Sequence, residues 1–137
     1  MSPTFLYRFA AVLLVLFAAG HTVGFLTLTP ASAEGVAVRD SMNSVRFDYG
    51  GKKYSYGDFY KGFGLTITAF LLFSAIVAWN LSTLARTAPH AVGVIGWSLC
   101  VLQLISCVLS WRYFFPPPVV LSALSAIAIG WATWLVH

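Results

Sequence analysis

Charge is what this chain has least of. Only 9% of its 137 residues are charged, and its four acidic residues all lie between Glu34 and Asp58. A soluble domain carries about 25% charged and about 45–50% apolar residues. Here 59% are hydrophobic, more than a water-soluble domain of this size could hide, so the bilayer is its expected solvent. Cysteine is almost missing too. Cys100 and Cys107 fall two turns apart on one expected helix, roughly 10 Å. That is too far to join, and there is no C-x-x-C. A motif-bearing thiol oxidase is thereby excluded, and the cysteine count says nothing about compartment. No two of the histidines His21, His90 and His137 share a helix at i, i+4, and no carboxylate pair lies inside an apolar run. Metal and haem fit poorly, so no cofactor is expected. Nucleophile motifs, phosphate loops and dinucleotide fingerprints are missing. The eight basic residues are scattered, which excludes nucleic acid as an expected partner.

What remains is apolar and long. Four runs stand out: Phe5 to Thr27, Phe59 to Leu84, Ala91 to Phe115 and Pro118 to Val136. Each is close to the roughly 20 residues that cross a bilayer core. Lipid cannot hydrogen-bond exposed peptide groups, so each run is expected to be helical. Trp79, Trp97, Trp111, Trp131 and Trp134 lie mostly toward run ends, as interfacial belts do. Pro116, Pro117 and Pro118 should force a break between the last two helices. The link Arg86 to His90 is equally short. Short links make antiparallel neighbours, so the expected fold is an all-α membrane protein, a four-transmembrane-helix up-down bundle with both termini on one side. Its expected immediate partner is the lipid bilayer.

Ala31-Ser32-Ala33 resembles a signal-peptidase site, but the apolar run before it is longer than a usual signal core. The run is read as a retained helix. Orientation stays open. Arg39, Arg46, Lys52, Lys53, Lys61 and Arg112 fall in loops one and three, against Arg8 and Arg86 on the terminal side. The positive-inside rule then puts those loops in the cytoplasm, whereas a signal-like first helix argues the reverse.

The remaining polarity is concentrated in one lid-like loop, Leu28 to Gly57. Thr29-Pro30 is a helix-start signal. Val38, Met42, Val45 and Tyr49 share one helical face, which suggests an interfacial helix over Ala31 to Ser44. A competing hairpin from Val45 to Ser55 turns on Gly50-Gly51. It pairs Tyr49 with Lys52, Asp48 with Lys53, Phe47 with Tyr54 and Arg46 with Ser55. Ser55-x-x-Asp58 then has capping-box spacing for the next helix.

His21, inside the first apolar run, is the sharpest candidate for chemistry, because ionisable residues are expensive within lipid. Asp58, Tyr60 and Arg112 enter from the same side and could cluster with it to do acid–base work or grip a polar head. The plainer alternatives are that neutral His21 bonds a neighbouring helix and Asp58 caps a helix. Gln103 lies on a polar stripe with Cys100, Ser106, Cys107 and Ser110, explained equally by interhelical bonding. Gly20 and Gly24 form a G-x-x-x-G that allows close helix approach, with Gly62 and Gly64 as complements or with a second copy as partner. Asn80 and Ser82 read as caps or helix bridges.

Arg8 with Gly20-His21 and Gly24 resembles the first helix of DoxX-like small membrane proteins. The G-H-T-x-x-G element followed by Ser55 to Gly64, SYGDFYKGFG, is also similar to a family of uncharacterised bacterial four-helix membrane proteins. The resemblance covers two short segments. It implies a four-helix fold in the bacterial cytoplasmic membrane and points to His21, Asp58, Tyr60 and Gly62, with no activity attached. Three functions stay open. One is binding of a small apolar molecule or lipid in a pocket lined by His21, Tyr60, Gln103 and Trp111. The others are assembly through helix faces, including a homo-oligomer, and a small transporter or channel subunit.

Overall fold

The computed structural model describes residues 1–136, so His137, expected on the terminal side, lies outside the described residues. In chain order the elements are α1 (Pro3–Thr27), α2 (Ala33–Ser44), β1 (Arg46–Tyr49), β2 (Lys52–Ser55), α3 (Tyr56–Thr87), a 3-10 turn (Pro89–Ala91), α4 (Gly93–Tyr113) and α5 (Pro116–Trp134). Helices α1, α3, α4 and α5 are long and apolar enough to cross a membrane. Large apolar side chains face outward along them, Phe70 at 65% and Val108 at 66% exposure among others. Such surfaces suit lipid and would be unfavourable in water.

The chain forms two compact units. One comprises Met1–Ala18 and the chain from Phe70 onward. Its core draws on all four long helices: Leu6 and Leu14 from α1, Ala75 from α3, Leu99 from α4, Ile129 and Ala132 from α5. Small residues let helix backbones approach where no hydrophobic effect drives association. Buried polar groups pin the contacts. Thr133 Oγ1 donates to the Ile129 carbonyl at 2.8 Å, so the Tyr7 hydroxyl donates to Thr133 Oγ1 at 2.7 Å. Gly96 is required beside them, because a Cβ there would lie 2.5 Å from Thr133 Oγ1 and 2.7 Å from Tyr7 Oη. The Cys100 thiol donates to the Ala126 carbonyl at 3.5 Å and the Cys107 thiol to Val119 at 3.8 Å, which sets α4 antiparallel to α5. Arg8, the cation interrupting the first apolar run, is exposed and lies 5.2 Å from the Trp79 ring centroid, a cation–π contact between α1 and α3.

The break expected between the last two helices is present at Phe114 and Phe115, both extended, although α5 begins at Pro116 rather than Pro118. Pro116 to Pro118 form the first turn of α5, where their missing N–H groups would be unpaired in any case. Among the described residues Asn80 and Ser82 bridge no helices: each bonds a carbonyl of its own helix, Ile76 and Trp79 respectively.

The other unit is Ala19–Ala69: the last turns of α1, α2, the hairpin and the first turns of α3. The hairpin register matches the expected pairing at every position, Arg46↔Ser55, Phe47↔Tyr54, Asp48↔Lys53 and Tyr49↔Lys52. Gly50 at φ 59° and Gly51 at φ 77° make the turn in a region other residues avoid. That turn takes Tyr49 out of the helical face of Val38 and Met42 and into β1. Helix α2 is capped by Ser32 rather than started at Thr29-Pro30. Ser32 Oγ accepts from the Gly35 N–H at 3.1 Å. The Glu34 backbone N–H, then the Ser32 hydroxyl, hold the Glu34 carboxyl below the usual range.

Helix α3 begins at Tyr56, ahead of the expected Phe59, because the capping box is made in full. Asp58 N–H donates to Ser55 Oγ at 3.0 Å, and Asp58 Oδ2 accepts from Ser55 N–H at 2.9 Å and Ser55 Oγ at 2.8 Å. Phe47 seats the hairpin on this start, with ring centroids 5.2 Å from Tyr56 and 5.4 Å from Phe59. Replacing the buried cap, Ser55→Ala, is expected to cost about 0.5–2 kcal/mol. Hydrogen exchange should show faster opening of the Tyr56 to Tyr60 amides, with α5 unchanged.

Candidate functional site

The last turns of α1 face α3 across a small polar seam. A carbonyl only accepts, so His21 carries its proton on Nε2 and donates to the Gly64 oxygen at 3.1 Å. The same oxygen accepts from Thr68 Oγ1 at 3.2 Å, and Thr68 Oγ1 lies 2.7 Å from Thr22 Oγ1. Phe25 stacks beside this seam, 5.1 Å from the His21 ring and 6.2 Å from Tyr60. Gly64 makes the approach possible: a Cβ there would lie 2.7–2.8 Å from three atoms of the Phe25 ring. His21 thus makes the bond to a neighbouring helix that its plainer account expects.

The other glycines behave differently. A Cβ at Gly20, Gly24 or Gly62 would meet nothing within 4 Å. Among the described residues no close approach requires glycine at these three positions.

Asp58 is occupied structurally. Besides Ser55 it accepts from Arg46 Nη1 at 3.3 Å. Gln103, Trp111 and Arg112 belong to the first unit. Gln103 is 1% exposed, and its Oε1 has no partner among the described residues, as with the Ser122 and Ser125 hydroxyls. Cys100 and Ser110 of its stripe are buried, Ser106 and Cys107 half-buried, so the stripe faces inward as spacing implied. Trp111 is exposed, and the Arg112 guanidinium lies 5.7 Å from its neighbour Tyr113's ring centroid. Among the described residues no group of three or more His, Cys, Asp or Glu could hold a metal.

The concave feature of the second unit is a cleft of about 290 Å³ between the end of α1, α2 and the start of α3. Phe25, Leu26, Leu28, Pro30, Val38 and Met42 supply apolar walls, and Arg39, Asn43, Tyr60 and Lys61 supply polar groups. Gly57, which also lines it, is buried. A Cβ at Gly57 would collide with the Asn43 side chain, so glycine there sets how near α2 comes to α3. Of the expected ligand-binding residues, Tyr60 alone lines this cleft. Arg39, Lys61 and Phe25 were not singled out for it. The Val38–Met42 spacing was the available signal, since an apolar helical face must cover something.

No family model, curated protein or solved structure matches this chain. Its function therefore has to be argued from its own residues.

The glycines give a direct contrast. Gly64→Ala should lower the thermal midpoint in detergent by an amount corresponding to about 1–3 kcal/mol of overpacking, and Phe25→Leu should restore part of it. Gly20→Ala should leave the monomer's midpoint within error of the parent.

Proposed function

We propose that this chain is an integral membrane protein that binds a small apolar molecule or lipid in the cleft beside α2. The observation that carries the reading is the cleft itself: apolar walls from three elements with a few convergent polar groups. Its volume of about 290 Å³ stands at the lower end of the roughly 300–1,000 Å³ of small-molecule sites. On this reading the four long helices form an up-down bundle in a bacterial cytoplasmic membrane, as the resemblance to DoxX-like proteins implies. The cleft then lies at membrane-interface depth, because it is built at helix ends.

Native mass spectrometry of the protein extracted in mild detergent tests this. The parent should retain a small molecule. Met42→Trp, which fills the cleft, should lose it while circular dichroism stays unchanged. A parent that carries nothing and takes up no apolar probe, or a Met42→Trp variant that retains its cargo fully, contradicts the reading.

A second reading is favoured by one observation. Gly20 and Gly24 are exposed, with open space where each Cβ would be. A second copy could approach along that strip, making the chain a homo-oligomer. Gly20→Leu should then shift the oligomer distribution toward monomer without changing cargo retention, and an unchanged distribution argues against it.

A further inference from the structure

Resting on that binding reading, we infer that the cleft takes a single-chain anionic amphiphile, its carboxylate held between Arg39 and Lys61. These cations come from different elements, α2 and α3, yet line one cleft, and none of its lining residues is acidic. The surrounding acids are engaged elsewhere or loosely placed. Asp58, one turn before Lys61, already accepts from Ser55 and Arg46. Asp40 lies 3.9 Å from Arg39 Nε, with both side chains well exposed, a geometry worth little in water. It leaves the terminal guanidinium nitrogens for a planar, bidentate acceptor, which a carboxylate supplies. Lys61 makes no ion pair within 4.0 Å among the described residues; its charge acts at longer range on the Asp58 carboxylate, which Ser55 and Arg46 already hold. Asn43 and the Tyr60 hydroxyl add hydrogen-bonding capacity beside the two cations.

The apolar walls exclude a fully hydrated anion as the best occupant. Phe25, Leu26, Val38 and Met42 gain only from a hydrocarbon partner. The modest volume suits one acyl chain better than the paired chains of a phospholipid. A head-to-tail amphiphile matches both halves at once, and at interface depth its tail can continue into lipid.

The experiment compares laurate with methyl laurate, which share a tail and differ in charge, by calorimetry on the full chain in neutral detergent. At pH 8 laurate is ionised. Laurate should bind the parent at least about tenfold more tightly, equivalent to about 1.4 kcal/mol. Arg39→Gln with Lys61→Gln should abolish that preference, with methyl laurate still bound. Arg39→Lys with Lys61→Arg should keep it, separating charge from a folding defect. Equal affinity of the parent for both probes, or a preference that survives the double Gln variant, overturns the carboxylate assignment and leaves the apolar cleft standing. Displacement of laurate by phosphatidylglycerol overturns the single-chain assignment. Failure of both probes to bind the parent removes the binding reading together with this inference.

Discussion

The Asp58 carboxylate ties the hairpin to the start of α3, and the second unit depends on that tie. It accepts from both donors of Ser55 and from Arg46. Arg46 and Ser55 face each other at the end of the hairpin away from the Gly50-Gly51 turn. One side chain therefore closes the open end of a two-stranded ribbon and starts a membrane-length helix. A lone hairpin is marginal in water, and this arrangement supplies what it lacks: an electrostatic clasp at one end and an aromatic seat of Tyr56 and Phe59 beneath Phe47. The adjoining Gly57 brings α2 against the start of α3, and the cleft follows from that approach.

Part of the polarity within the apolar helices goes into helix-to-helix contacts. His21 to Gly64, Thr22 beside Thr68, Tyr7 to Thr133 and Cys100 to Ala126 all connect different helices. Such bonds inside a bilayer average about 0.6 kcal/mol, at most about 1.7. No one of them holds a fold, and their value is register. Gly64 and Gly96 show the same logic in steric form, because a side chain at either would push apart the groups that bond there.

Much of this was legible in the sequence because local physics decided it. Four apolar runs had to be helices, and Gly50-Gly51 offered a turn that competed with the helical face ending at Tyr49. Ser55 and Asp58 stood at capping distance, so the hairpin register and the capping box could be written down residue by residue. Helix starts were less legible. The proline break between α4 and α5 was legible, but α5 begins at Pro116 rather than Pro118, and Ser32 displaced Thr29-Pro30 as a cap, because several residues can satisfy the same orphan donors. The site was the least legible part. A cleft depends on which faces meet, and neither the partner of His21 nor the convergence of Arg39 with Lys61 is encoded in local spacing. Intramembrane cost drew attention to His21, whereas the cleft is built from Phe25, Met42 and Tyr60, ordinary residues brought together by Gly57.

The most direct test of the cleft as the binding site is photolabelling of the protein in liposomes with a diazirine-bearing fatty acid, with adducts mapped by peptide mass spectrometry. The account expects labelling concentrated on Phe25, Val38, Met42 and Tyr60, saturable by excess unlabelled laurate. Non-saturable labelling spread along outward residues such as Val108 and Ile127 would contradict it, since that is the pattern of bulk lipid against bare helices.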